Sequence, residues 1–426
     1  MTALLVAGFV GLFSETALNI ALADLSKIFE VDATTVQWLA TGYFLTLGIL
    51  IPVTGILMQK FTTRQMFLTS IILTLIGTVL AALSPSFGFL LAGRIIQAAG
   101  LAINLPLTQN VIFTIYPPNK RGAAMGIMGL VMLAGPALGP TIAGLILDTL
   151  SWDWIFWAQV PFLLLSLIIG ILYVPNVNEV RKIAIDILSV ILSTIGFGGI
   201  VYGFSVSGEN GWASPIVIGS IVIGLVGVIL FSMRQMKMEQ PMMNLRAFKY
   251  PLFVIGVFMS FITFFNMLSM LVILPMFMQM ALLIAAFATG LVLLPGSLLN
   301  CILAPIIGTD AALWVVVVIH IIMMLGIGAV LASTQTNTLN SLPKEYYPDG
   351  IAITQTIQQV AGAVGIAVMV SLLSARQNSY LTTVNDNLPE AAASGSSFVF
   401  TIGLVFAVIN FVLSFFMKKP TDVKLK

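Results

Sequence analysis

Residues 88–110 read GFLLAGRIIQAAGLAINLPLTQN. The stretch is long enough to cross a bilayer as a helix, which takes about 17–25 apolar residues. It carries one charge, Arg94. A charge at a helix centre costs about 2.5–3.5 kcal/mol on insertion scales, so it normally faces a partner or water. Arg94, Gln97, Asn104 and Thr108 recur at i, i+3, i+10 and i+14, which is one helical face. Lipid cannot satisfy these groups, so that face should line a cavity or a neighbouring helix. A polar seam on a membrane helix implies further helices around it.

The rest of the chain supplies them. Of its 426 residues, 59% are hydrophobic and 8% charged, with a mean hydropathy of +1.08. Soluble domains run at about 25% charged residues, so this is a polytopic α-helical membrane protein. Nucleic-acid binding and disorder both need more charge. The single cysteine, Cys301, excludes a disulfide framework. The single histidine, His320, leaves nothing for a His-based metal site or a Ser-His-Asp triad, and it reads as a packed residue. There is no phosphate-binding Gly-x-x-x-x-Gly-Lys-Ser/Thr loop, no His-Glu-x-x-His and no Gly-x-Ser-x-Gly. We therefore expect neither an enzyme nor a cofactor, and energy from an ion gradient.

Apolar runs between breaks predict thirteen helices: 2–25, 34–58, 66–83, 88–115, 122–147, 155–174, 187–204, 215–233, 251–280, 284–308, 311–339, 350–374 and 397–417. With an inside N-terminus, Lys60, Arg64, Lys120, Arg121, Arg181, Lys182, Arg234, Lys237, Arg246 and Lys249 all fall inside, and Lys27 alone falls outside in the first ten helices. Beyond Gly308 the bias fails, because Lys344 and the tail lysines 418, 419, 424 and 426 would face outside. One more helix between 308 and 311 restores it. The run 251–308 also lacks a polar loop near 280–282. These breaks predict that residues are absent near 281 and 309, and that the full set is fourteen helices with both termini cytoplasmic.

The chain also repeats itself. Thr108-Gln109-Asn110, a Pro-containing basic loop and a helix opening at Gly122 with Gly135 and Gly139 are echoed downstream. The echo is Thr334-Gln335-Thr336-Asn337, Pro343-Lys344 and a helix from Gly350 with Gly362 and Gly365. This spacing points to a duplicated, two-half transporter.

These residues carry a resemblance. Gly135-Pro136-x-x-Gly139-Pro140 resembles an antiporter motif with Pro140 in place of its second glycine. Leu91-Ala92-Gly93-Arg94-Ile95-Ile96-Gln97 resembles a fourth-helix motif with a buried arginine. Trp152-Asp153-Trp154-Ile155-Phe156 resembles a Trp-Arg-Trp-Ile-Phe signature, and 55–64 matches the family's helix 2–3 loop only in part, with Gln59 where that loop has an acid. Together they resemble the major facilitator superfamily, in its fourteen-helix drug/proton antiporter branch of bacterial efflux pumps. The resemblance implies a 6+2+6 arrangement: a six-helix bundle at 1–174, two inserted helices with linkers at 175–250, and a second, incomplete bundle at 251–426.

Glu15 and Arg94 are the charges farthest from helix ends, roughly 14 Å and 10 Å below the outer ends at about 1.5 Å per residue. A carboxylate facing a cation at that depth suits proton coupling, because burial and the cation act on its charge in opposite senses. Asp148 and Asp24, at the outer ends of helices five and one, are candidates for proton entry. Asn19, Gln97, Asn104, Thr108, Gln355 and Gln359 are candidate substrate contacts. Gly135, Pro136, Gly139 and Pro140 weaken helix five and permit close approach, which suits gating. A Met- and Phe-rich stretch at 259–280 is an adaptable apolar surface. The expected activity is proton-coupled export of lipophilic cationic or zwitterionic drugs across a bacterial plasma membrane, by a monomer in the lipid bilayer. A proton-coupled nutrient importer is the nearest alternative; a membrane enzyme or assembly factor stands further off.

Overall fold

A computed structural model describes residues 1–417 apart from 32, 178–185, 240, 282–329, 332 and 384–386. Among the described residues, eleven helices are long and apolar enough to cross a membrane. The helices expected at 284–308 and 311–339 fall wholly or mostly outside the described residues, as do His320, Cys301 and the joint at 308–311.

In chain order the helices are α1 (Thr2–Ile28), α2 (Ala33–Lys60), α3 (Thr63–Ala82), α4 (Phe87–Ile115) and α5 (Pro118–Thr149). Then come α6 (Trp154–Trp157) and α7 (Val160–Tyr173), which share one span, and α8 (Ile187–Ser205), α9 (Ser207–Asn210) and α10 (Pro215–Lys237). The last three are α11 (Pro251–Met280), α12 (Tyr347–Thr383) and α13 (Leu388–Ser414). Their starts follow local chemistry. Thr62 and Gln65 form a reciprocal capping box on α3, Asp186 caps α8, and Pro118, Pro215 and Pro251 occupy first turns where no N–H is needed. Two boundaries differ most from expectation, each by nine residues. α12 has 37 residues, roughly 55 Å at 1.5 Å each, so it outruns the bilayer core and continues past the apolar run that predicted an end at 374. α13 begins at Leu388 because Asn387 caps it ahead of its apolar part.

Glycine sets the packing. A Cβ on Gly135 would lie 2.9 Å from Cβ of Leu12 and 3.1 Å from the main-chain nitrogen of Phe13, and Gly139 sits against Thr16. In the second half, Gly365 faces the carbonyl of Phe265 and the Ser269 hydroxyl, and Gly362 faces Leu268. Thus α5 lies on α1 as α12 lies on α11. Small residues allow this close approach, which is what holds helices together where lipid is as apolar as the side chains. Pro106 in α4 cannot donate to the Ala102 carbonyl, and the Thr54 hydroxyl of α2 donates to that oxygen at 3.2 Å.

Lys60, Arg64, Lys120, Arg121, Lys237, Lys249 and Lys344 all lie at or beyond the ends of α2, α4 and α10 and the starts of α3, α5, α11 and α12. We call this the basic end. There the two parts of the chain meet. A Cβ on Gly55 of α2 would lie 2.9 Å from Cβ of Ala352 in α12, and Gln355 of α12 donates to Gln109 of α4 at 2.8 Å. Ala352 and Gln355 are buried, whereas Gln359, one turn farther along that face, is half-buried.

Candidate functional site

The site grows from Arg94, whose side chain is fully buried among α1, α2 and α4. Its Nη1 donates to the Ser14 carbonyl at 2.9 Å, the Ser14 hydroxyl at 3.0 Å and Oε1 of Gln97 at 2.9 Å. Its Nε donates to the Leu39 carbonyl at 3.4 Å. The guanidinium carbon stands 4.1 Å from the centre of the Tyr43 ring, and the Tyr43 hydroxyl donates to the Gly11 carbonyl at 3.0 Å. A planar guanidinium can stack and donate at once, which a lysine ammonium cannot.

Gln97 holds this arrangement from behind. Its Nε2 donates to the Thr78 hydroxyl at 2.9 Å and to Oε1 of Gln159 at 3.1 Å. Thr78 in turn donates to the Thr74 carbonyl, and Gln159 to the Ile155 carbonyl. Gln97 is therefore engaged on both sides of its amide. The Ser14 hydroxyl also donates to its Oε1 at 2.9 Å, so its four partners leave it no free group in this arrangement.

Glu15 is 5% exposed, and its Oε2 has no hydrogen-bond partner; Nη2 of Arg94 has none either. Among the described residues the ion pairs within 4.0 Å are Asp24–Lys27 and Asp186–Arg234, so Glu15 and Arg94 share the region without a direct pair. The sequence placed them at similar depth. What it did not show was that neutral groups of Ser14, Leu39 and Gln97 would satisfy most of the guanidinium.

The remaining candidates separate. Thr108 donates to the carbonyl and side-chain oxygen of Asn104, whose Nδ2 is buried without a partner. This pair faces α1 at Gly8, so the α4 stripe divides into two groups rather than forming one continuous lining. Gln355 belongs to the α4–α12 contact. Asn19, Asp24 and Asp148 are exposed, and Asp24 lies 4.0 Å from Lys27. Gly135, Pro136 and Gly139 are buried against α1 beside Thr16, which donates to the Pro136 carbonyl at 3.3 Å. Met259, Met267 and Met270 are buried, as are Phe264 and Phe265.

Sequence reasoning missed Ser14, Tyr43, Thr78 and Gln159. Gln159 had a signal, being a buried-span amide four residues after Ile155 in the Trp-Asp-Trp-Ile-Phe stretch. It also missed Arg121, counted only as a loop charge. Arg121 is buried; it donates to Asn340 and, at 2.9 Å, to the Tyr347 hydroxyl, and to the carbonyls of Phe113 and Tyr116. The Phe113 and Tyr347 rings lie 5.0 and 5.1 Å from its guanidinium carbon. It thus ties the start of α5 to the start of α12 beside a cavity of about 380 Å³ that opens at the basic end.

Comparison with known proteins agrees with the fold. Residues 4–366 match the family model described as Major Facilitator Superfamily. The chain is 50% identical to Lincomycin resistance protein LmrB of Bacillus subtilis (strain 168) over 456 residues, covering 98% of this chain and 95% of that one. It is 46% identical to the protein of the same name from Listeria innocua, over 97% of this chain and 95% of that one. A crystal structure of a POT family transporter in complex with a thioalcohol-conjugated peptide superposes with a TM-score of 0.66 at 15% identity, covering 98% and 96% of the two chains. A match 456 residues long over 98% of 426 residues requires that the Bacillus protein carry residues within the matched span that have no counterpart here.

Proposed function

The chain belongs to the Major Facilitator Superfamily, as a multi-pass membrane transporter and not an enzyme, and on that premise we propose that it exports drugs by proton antiport. Export is supported by the lincomycin-resistance name of its relatives. Proton coupling is supported by one observation above all: a carboxylate oxygen of Glu15 buried without a partner, close to a guanidinium whose Nη2 is also unpartnered. A buried bare carboxylate is costly, so the transporter closes over Glu15 more easily when a proton neutralises it. Protonation weakens its attraction to a cationic drug, and loss of the proton on the other side restores it.

In this reading the basic end faces the cytoplasm of a bacterial plasma membrane, with both termini there. The polypeptide divides into 1–174, 175–250 and 251–426 and works as a monomer. The Arg121, Gln355 and Gly55 contacts close the cytoplasmic side, so drug leaves from the opposite side, where Asp148 and Asp24 are exposed. Asn104, whose Nδ2 has no partner, its neighbour Thr108 and the half-buried Gln359 are the better candidates for drug contact, since every polar atom of Gln97 is engaged and Gln355 lies in the buried α4–α12 contact. The residues that the Bacillus relative has in excess support the absence of a span near 281 or 309.

Everted vesicles energised by a pH gradient test the proposal, with lincomycin and a cationic dye as cargo. Wild type should accumulate both, and purified protein should release protons on binding the dye. Glu15→Gln should lose gradient-driven accumulation and proton release while folding normally. A Glu15→Gln protein that still releases protons removes Glu15 from coupling, and Asp148 then becomes the site to test.

A further inference from the structure

We infer that the inserted pair α8–α10 is a clasp across the α2–α12 seam, with its catch at the main-chain N–H of Asn244 on the Asp349 carboxylate.

The clasp is rigid in itself. A Cβ on Gly199 would lie 2.9 Å from Cα of Gly224, and one on Gly227 would lie 2.8 Å from Cα of Gly196, so the two backbones touch. At the basic end Asp186 receives Nε and Nη2 of Arg234 at 2.7 and 2.9 Å, joining the first residue before α8 to the last turn of α10.

It also lies on both sides of the seam. α8 packs on α2, where a Cβ on Gly48 would lie 3.1 Å from Val201, one on Gly198 would lie 3.0 Å from Ile49, and the rings of Trp38 and Tyr202 are 5.8 Å apart. α8 packs on α12 as well, and beyond it Nε1 of Trp212 donates to the Ser371 hydroxyl of α12 at 2.7 Å.

The linker that follows α10 passes under the seam. Oε1 of Gln235 accepts the N–H groups of Met242 and Met243 at 2.7 and 3.2 Å, and both methionines are buried. The next N–H, of Asn244, reaches Oδ1 of Asp349 at 2.9 Å, and Nε2 of Gln59 in α2 approaches the same oxygen at 3.5 Å. A Cβ on Gly55 would lie 2.9 Å from Ala352 and 3.8 Å from the Met242 carbonyl, so the linker packs on the α2–α12 contact itself. α2 cannot leave α12 at this end while the linker stays on both. The Asn244 bond ties the linker's main chain to α12 through a charged acceptor, so losing it should loosen the linker on the seam while the packing of Met242 and Gly55 remains, which makes the bond a catch.

The test reads how often the seam opens. In a Cys301→Ser background, Ala352→Cys marks the seam, and a membrane-impermeant maleimide applied to the basic side reports its opening as a labelling rate. Asn244→Pro removes the N–H at a residue whose φ of −79° proline accepts, while Asn244→Ala keeps the N–H and loses only the side-chain bond to the N–H of Arg246. The labelling rate should rise several-fold in Asn244→Pro and stay near the parent rate in Asn244→Ala. Equal rates in the two variants overturn the clasp. If Asn244→Pro does not fold, Gln235→Leu, which releases Met242 and Met243, should raise the rate in its place; an unchanged rate there overturns it too. Labelling needs no cargo, so failure of the export proposal and failure of the clasp are read separately.

Discussion

Nη1 of Arg94 stands 2.9 Å from Oε1 of Gln97, and the bond has a single direction. A guanidinium can only donate. Gln97 must then turn its NH2 toward Thr78 and Gln159, which can accept because each donates to a main-chain carbonyl. Two backbone oxygens, of Thr74 and Ile155, thereby fix an amide two bonds away and aim the guanidinium.

Gln97→Leu should destabilise the protein by about 1–3 kcal/mol, the cost of leaving buried donors unmade. Gln159→Leu should cost less, since Thr78 still orients Gln97. Thermal unfolding in detergent checks both. A Gln97→Leu protein as stable as wild type would show that Ser14 alone holds Arg94.

Gly135→Leu should abolish export while leaving membrane insertion intact. Its side chain would occupy space already held by Leu12 and Phe13 and push α5 off α1. The measurement is dye efflux normalised to the amount of protein in the membrane, and unimpaired efflux would show that the α1–α5 contact is not part of the transport cycle.

Gln109 and Gln355 share one hydrogen bond, and each leaves its other amide atom buried without a partner. Replacing both with leucine should therefore be neutral or stabilising to the closed seam, whereas either single change strands the survivor and should cost about 1–3 kcal/mol. A double-mutant cycle on unfolding midpoints separates the outcomes. Additive losses would contradict the account.

Arg234, together with Ser189, holds the Asp186 carboxyl well below the usual carboxylate range. A depressed folded-state value means the group stabilises the fold above its unfolded value of about 4 and loses that contribution as pH falls below it. The difference in melting temperature between wild type and Asp186→Asn should thus be present at pH 7 and shrink below about pH 4. High salt should also reduce it, because the pair is partly exposed. A difference that does not vary with pH would assign the stabilisation to capping of α8 alone.

A fluorescent-protein fusion at residue 426 should report a cytoplasmic C-terminus, as the four tail lysines require. With the N-terminus also inside, this sidedness demands an even number of spans. An outside C-terminus would make thirteen the true count.

Spans were legible because the bilayer imposes one length on every crossing, and all eleven described spans overlap helices read from the apolar runs. Arg94 was legible because a charge in an apolar run must be buried against something. Its partners were not, because Ser14 and Tyr43 come from two other helices, as does Thr78 behind Gln97, and a hydroxyl in a membrane helix commonly bonds its own backbone. Arg121 misled for a different reason. A basic loop residue looks the same in sequence whether it is solvated or inserted between two aromatic rings. Gln97 and Asn104 share a face by periodicity, yet neighbouring helices approach that face at different heights and divide it.

Any transporter that keeps an acid at mid-depth risks short-circuiting the gradient it lives on. Carboxamides, main-chain carbonyls and an obligate donor make a poor wire, since none of them readily takes up a proton at one end and hands it on from the other. The groups behind Arg94 are of these kinds, together with the Ser14 hydroxyl, which donates to Gln97, and the Thr78 hydroxyl, which ends on the Thr74 carbonyl. In the proton-antiport reading, the layer between α3, α4 and α6 would act as insulation. If Glu15 carries the coupled proton, as proposed, these described groups offer it no bonded path, and it would leave when the aqueous access itself changes sides.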